Sequence, residues 1–267
     1  MRRYAVIEKP VGETPLQALQ AYQRSDAELA RVPLTYAGRL DPMASGKLLV
    51  LIGDECKKRD QYDGLDKEYV FEVLLGFKTD TGDVLGLPEA SKAVGVKDRE
   101  VNDVAQSLVG PLRLAYPAYS SKTVAGKPLF QYALEGTLST IEIPTVDVHV
   151  YALQYVDRLA LPRSGLVERI LAKIDQLTAG NDSGLRGADF RKDEISKGWW
   201  RLESRERSTC SVLRFKVIVS SGTYIRSLAP LIAARLGTDG LAYSIHRTKI
   251  GRYMSLTKHF GFWTRAY

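Results

Sequence analysis

Five consecutive apolar residues, Leu48-Leu49-Val50-Leu51-Ile52, are followed at once by Gly53. A run that short and that continuous is a buried strand rather than an amphipathic helix. Tyr69-Val70-Phe71-Glu72-Val73-Leu74-Leu75, closed by Gly76, reads the same way. Thr145 to Val156 is a strand with partial alternation. Leu213, Phe215, Val217 and Val219 alternate with Arg214, Lys216 and Ile218, the period of a half-buried strand. Helices are interspersed. Thr14 is an N-cap, Pro15 the favoured first residue, and Gln17 completes a capping box over an apolar face of Leu16, Ala18, Leu19 and Tyr22. Leu228, Leu231, Ile232 and Leu236 share one helical face, with Gly237 as the stop. No regular βαβ repeat links these elements. The fold class is therefore α+β, with a mixed, largely antiparallel central sheet flanked by helices and loops.

Charge narrows the function. The 267 residues carry 38 Lys+Arg against 31 Asp+Glu. Nine of those basic residues, and a single acid (Asp239), fall between Ser208 and Tyr267. The same stretch holds Tyr224, Tyr243, Tyr253, Phe260, Phe262 and Trp263. Positive charge follows phosphates and aromatic faces stack on unpaired bases, so this block suits a polyanion; a solvated basic face is the simpler alternative. No apolar run approaches the ~20 residues of a membrane span, and the N-terminus lacks a signal-peptide core. Two cysteines and three dispersed histidines are a poor start for a disulfide framework or a metal centre. A cytoplasmic, metal-independent protein is expected.

The most informative stretch is Tyr36-Ala37-Gly38-Arg39-Leu40-Asp41-Pro42-Met43-Ala44-Ser45-Gly46. Pro42 restricts Asp41 to extended or turn geometry, and the glycines allow a tight loop beside a strand starting near Lys47. A carboxylate presented in this way can be a nucleophile, a general base or a metal ligand, or simply an Asx-turn acid.

This loop, Gly-x-Leu-Asp-Pro-x-Ala-x-Gly, resembles the catalytic loop of the TruB-type tRNA pseudouridine synthases. Five further segments fall in that family's order. They are Lys9-Pro10-Val11-Gly12-Glu13-Thr14; Lys67-Glu68-Tyr69 with Leu75-Gly76 and Thr79-Asp80-Thr81-Gly82-Asp83; Pro117-Ala118-Tyr119-Ser120-Ser121-Lys122 with Gly126-Lys127; Ser221-Gly222-Thr223-Tyr224-Ile225-Arg226; and Ile245-His246-Arg247-Thr248-Lys249-Ile250-Gly251. The resemblance runs from about residue 5 to 254, except across residues 157–207. It implies the pseudouridine synthase fold in a single catalytic domain, and isomerisation of the uridine at position 55 in the tRNA T-loop, without a cofactor. It makes Asp41 the catalytic aspartate, Tyr69 the aromatic that stacks on the flipped uracil, and Arg226 the partner that orients Asp41. Tyr224 and Ile245 would line the pocket. Lys9, Lys122, Lys127, Arg247 and Lys249 would contact RNA, and residues 115–137 would form an RNA-gripping thumb. The implied partner is tRNA, bound by a monomer with no protein partner. Extrusion of the base is required, since an acid cannot reach its target inside a stack.

Three departures stand out. Tyr36 occupies the place of a histidine that in the family helps hold RNA; a tyrosine can still stack on a base. Residues 157–207 are longer than the usual connection and nearly neutral, with eleven basic and nine acidic residues. They read as an insertion or subdomain on one edge. Sixteen residues follow Gly251, too few for the PUA-type domain of many bacterial members. Gly38-Arg39-Leu40-Asp41 alone also resembles the loop of rRNA pseudouridine synthases. An rRNA substrate, or an RNA-folding protein with secondary or lost catalysis, are the alternatives.

Overall fold

The computed structural model describes residues 2–92, 94–177, 191–203, 208–257 and 260–267. The chain opens with β1 (Tyr4–Lys9), α1 (Pro15–Ser25), β2 (Leu34–Ala37) and β3 (Ala44–Ile52). A single turn, α2 (Asp60–Asp63), precedes the long β4 (Asp66–Leu75). Next come the short strands β5 (Phe77–Thr79) and β6 (Pro88–Ala90), helix α3 (Asp98–Ser107) and β7 (Gly110–Ala115). A two-residue hairpin, β8 (Thr123–Val124) and β9 (Lys127–Pro128), leads into α4 (Leu129–Leu134). The remainder is β10 (Thr145–Pro162), α5 (Arg163–Asp175), α6 (Lys192–Arg201), β11 (Thr209–Val219), α7 (Ile225–Arg235), β12 (Gly240–Ser255) and β13 (Gly261–Ala266).

Among the described residues nine strands form one sheet in the order β1-β3-β12-β4-β11-β10-β7, with β2 also on β3 and β13 also on β12. Every pairing is antiparallel except β3 with β12. The α+β expectation with a mixed, largely antiparallel sheet is met. Phe71 of β4 stacks on Phe215 of β11 with centroids 5.4 Å apart, at the centre of the main core. Leu228, Ala229, Ile232 and Ala233 of α7 and Val101 and Ala105 of α3 join that core. A second cluster forms where Leu19 of α1 meets Val50 and Ile52 of β3. The capping box at Thr14 is complete: Thr14 Oγ1 accepts from Gln17 N at 3.2 Å, and Gln17 Oε1 accepts from Thr14 N at 2.7 Å.

Two boundaries differ from the sequence reading. Strand β3 begins at Ala44, before Lys47, because Ala44–Gly46 pair in parallel with Ile245–Arg247 of β12. Strand β10 runs on to Pro162, with a register shift between Tyr155 and Asp157. Its charged residues are matched there: Asp157 accepts from Arg214 at 3.0 Å and Arg158 donates to Asp98 at 2.8 Å. Within residues 157–207, helices α5 and α6 dock on the sheet. Leu166, Val167, Ile170 and Ile174 of α5 and Ile195 and Trp199 of α6 are buried in the main core. Residues 178–190 and 204–207 of this segment lie outside the described residues.

Candidate active site

The loop between β2 and β3 is held by buried cations that spend their protons on backbone carbonyls. Arg247 is fully buried. It donates to Gly38 O at 2.9 Å, Arg39 O at 3.2 Å and Lys47 O at 2.7 Å, gripping both ends of the loop. Lys9 is also fully buried and donates to Pro10 O and Glu13 O, each at 2.7 Å. Gly12 N donates to Pro42 O at 2.9 Å, tying the N-terminal turn to the residue after Asp41. Burial lowers the Lys9 pKa to about 8, against the attraction of Glu13 and Asp41. The loop needs Gly46: its φ is +107°, and a Cβ there would lie 2.3 Å from Arg247 O.

These anchors present Asp41 to Arg226, the second residue of α7. Arg226 Nε donates to Asp41 Oδ2 at 2.7 Å, Nη1 to Thr81 O at 3.0 Å and Nη2 to Tyr119 O at 3.1 Å. Asp83 Oδ2 lies 3.6 Å from the same Nε. The side chains of Arg226 and Asp83 are only 4% and 5% exposed, whereas Asp41 is 32% exposed, so the pair is buried on one side and open on the other. Burial opposes the charge of Arg226, but Asp41 and then Asp83 outweigh it and hold its pKa above the ordinary value. Burial raises the pKa of Asp83, with Arg226 and Thr81 acting in the opposite direction. Among the described residues no donor reaches Asp41 Oδ1, which leaves one carboxylate oxygen for chemistry while the other is fixed.

Asp41 opens into a cavity of about 490 Å³, in the size range of small-ligand sites. Tyr69 of β4 and Ile245 of β12 form its buried floor, 7% and 4% exposed. Tyr224 forms a wall at the start of α7 and meets Tyr116 edge-on at 5.6 Å. Burial, then the Asp41 charge, pushes the Tyr224 phenol up. At the rim, Lys122 sits 5.2 Å over the Tyr116 ring, and Arg39 hydrogen-bonds Ser121 across from the loop to residues 115–137.

The structure thus brings together Asp41, Tyr69, Arg226, Tyr224, Ile245 and Lys122. It does not bring in the other residues expected to meet RNA. Lys9 and Arg247 are interior braces of the loop, with no surface to offer a phosphate. Tyr36 packs beneath the α1 cluster with Leu19 and Val50, and Arg59, which does line the cavity, lies 5.6 Å over its ring. Lys249 lies 3.5 Å from Glu68 on β4, and Lys127 pairs with Glu135 and lies 4.4 Å over Tyr132.

Two residues had been given no role. Asp83 is the buried second acid of Arg226; its signal was its place in the Thr-Asp-Thr-Gly-Asp turn. Lys67 lines the cavity and donates to Asp63 O at 3.2 Å and Ser221 Oγ at 3.3 Å. Burial, then the charge of Arg247, lowers its pKa to about 8. Its signal was the alternation of β4, which places residues 67 and 69 on one face.

The segment after β10 reaches this machinery from behind. Trp199 Nε1 donates to Val84 O at 2.9 Å, next to Asp83. Arg191 pairs with Asp80 Oδ2 at 2.7 Å and lies 4.9 Å over the ring of Tyr119, whose carbonyl Arg226 uses. So α6 and the residue that precedes it back both supports of the Arg226 guanidinium.

Residues 29–162, half of the chain, match the N-terminal domain of the TruB family of pseudouridylate synthases. The chain belongs to the TruB family. It is 28% identical over 251 residues to a tRNA pseudouridine synthase B of Caldicellulosiruptor saccharolyticus, covering 94% of this chain and 68% of that protein. It is 29% identical over 248 residues to a tRNA pseudouridine synthase B of Aromatoleum aromaticum, covering 93% and 63%. With tRNA pseudouridine synthase 4 of Saccharomyces cerevisiae it shares 31% identity over 237 residues, covering 78% and 58%. The chain therefore spans 58–68% of the length of these relatives. The crystal structure of a Cbf5-Nop10-Gar1 complex shares the fold, with a TM-score of 0.53 and 18% identity over 93% of this chain and 49% of that one. Among the described residues no helix is long and apolar enough to cross a membrane.

Proposed function

We propose that this TruB-family chain isomerises uridine to pseudouridine in the T-loop of tRNA, at position 55, with Asp41 as the nucleophile. The observation that carries this reading is the asymmetry of Asp41. One oxygen is locked to buried Arg226, and the other faces a cavity floored by Tyr69 and walled by Tyr224. A nucleophile needs that division: a fixed geometry and an unspent lone pair.

The reaction balances within the substrate. The N1–C1′ glycosidic bond breaks as Asp41 Oδ1 bonds to C1′, the uracil turns while held in the pocket, and C5 bonds to C1′ as the Asp41–C1′ bond breaks. C5 then loses its proton and N1 takes one up. No oxidant, reductant or group donor is consumed, so the chemistry calls for no cofactor. Tyr69 lies against the base and its phenol is placed to help remove the C5 proton. The flat aromatic walls replace the stacking that the base loses on leaving the loop. Lys122 and the 115–137 segment grip the phosphates at the rim.

The test is pseudouridine mapping of unmodified tRNA transcript after incubation with the purified chain. One new pseudouridine at the T-loop position is expected. A modified site in an rRNA fragment with none in tRNA would move the substrate to rRNA, and binding with no modification of either would leave an RNA-folding protein.

A further inference from the structure

Outside the active site, the structure contains a second cavity, of about 390 Å³, lined among others by Arg3, Glu55, Lys58, Arg252, Arg265 and Tyr267. Among the described residues its one acidic side chain is already spent. Glu55 accepts from Arg3 at 2.9 and 3.1 Å and from Tyr62 at 2.6 Å, with Lys58 at 3.4 Å. Nothing remains for the other two cations. Arg252 of β12 and Arg265 of β13 are exposed and stand directly opposite each other in the antiparallel register. Arg265 lies 4.7 Å over the Tyr267 ring. Among the described residues neither arginine has an acidic partner. Like charges directly opposite on paired strands are destabilising. Two unpaired guanidinium forks beside Arg3 and Lys58 form a site that an anion would relieve, and the planar fork suits phosphate oxygens best.

The position says which phosphate. Helical turn α2 separates the two cavities: Arg59 and Asp63 line the active site, and Lys58 and Tyr62 line this one. Along β12, Ile245 in the active site and Arg252 here are seven residues apart, roughly 23 Å at ~3.3 Å per residue. That is less than one turn of a nucleic-acid duplex (~34 Å). A nucleotide seated at Asp41 therefore leaves the stem next to it within reach of the arginine pair.

We infer that Arg252 and Arg265, with Arg3 and Lys58, form a second RNA site that holds backbone phosphates of the substrate stem about 23 Å from the flipped nucleotide. This rests on the isomerase reading for its substrate but is measured separately from it.

The test compares the wild-type chain with an R252Q/R265Q double variant, on full-length tRNA transcript and on a hairpin whose stem is cut to three base pairs. The cut stem, ~10 Å long at ~3.4 Å per pair, cannot span the distance. On full-length tRNA the variant should bind about tenfold more weakly at low salt, and the slope of log K against log salt should fall by about 2. Its kcat should be unchanged. On the cut hairpin the two proteins should bind alike. Equal affinity and slope on full-length tRNA would overturn the site, as would an equal loss on both RNAs, which would indicate general charge. Saturable binding of inorganic phosphate with an unchanged tRNA slope would also overturn it, as a small-anion site. Binding is read without turnover. Absence of any isomerisation together with an intact arginine-dependent slope would therefore refute the active-site reading and leave this one standing.

Discussion

Replacing Arg226 by methionine removes the guanidinium shared by Asp41, Asp83, Thr81 O and Tyr119 O. The larger structural cost falls on Asp83, which is 5% exposed and is left with Thr81 Oγ1 at 2.7 Å and Leu85 N at 2.9 Å as its donors. Removing one partner of a buried pair costs about 3–5 kcal/mol, because the other charge stays buried and uncompensated. For a chain of this size that is a fall in Tm of about 6–20 °C. Turnover should fall by at least ~10²-fold, since Asp41 loses the contact that sets its position. The informative step is R226M/D83N. Neutralising Asp83 removes the stranded charge, so more than ~2 kcal/mol of stability should return, while turnover should stay at the level of the single variant. Thermal denaturation and single-turnover pseudouridine formation measure the two separately. If turnover returned along with stability, Arg226 would be a structural residue and its orienting role on Asp41 would be refuted.

Two other perturbations follow from the same contacts. Trp199→Phe keeps most of the ring but leaves Val84 O without its donor, so stability should fall by about 1–3 kcal/mol; if α6 supports the arginine, kcat falls while KM holds, and an unchanged kcat in the folded variant would refute that support. Lys9, Lys67 and Lys173 are each lowered to about 8 by burial, from 10.5; the unfolded chain then binds more protons between pH 8 and 10.5, so this contribution to stability rises across that window. The phenols of buried Tyr62 and half-buried Tyr119, raised to about 12, act in the opposite direction above pH 10, so urea midpoints should climb from pH 8 to about 10 and then turn down. A steady decline from pH 8 would contradict the burial of the three lysines.

Much of this was legible in the chain, for local reasons. The capping box at Thr14 is closed by atoms three residues apart, and the strands at 48–52, 69–75 and 213–219 show their burial in their own patterns. Asp41, Tyr69, Tyr224 and Arg226 were legible because their motifs are contiguous. Lys9 and Arg247 were misplaced because long cations are normally at the surface. Their acceptors are backbone carbonyls, and for Arg247 these come from a loop some 200 residues away, a contact with no trace in the local sequence. The start of β3 was hidden for the same reason, since its parallel partner is β12 and Gly46 there looks like a loop residue. Tyr36 was read for its chemistry, while its direction is set by the pairing of β2 on β3.

If the free oxygen of Asp41 carries out the reaction, tritium release from tRNA transcript labelled at uridine C5, run as a single turnover alongside tRNA binding, reads its loss at once. Asp41→Asn has nearly the same shape and can still accept from Arg226 through its amide oxygen, so the fold and the RNA affinity should persist within about threefold. The wild-type chain should release tritium and the variant none. Release by Asp41→Asn within about tenfold of wild type, a barrier change of only ~1.4 kcal/mol, would contradict the role of that oxygen.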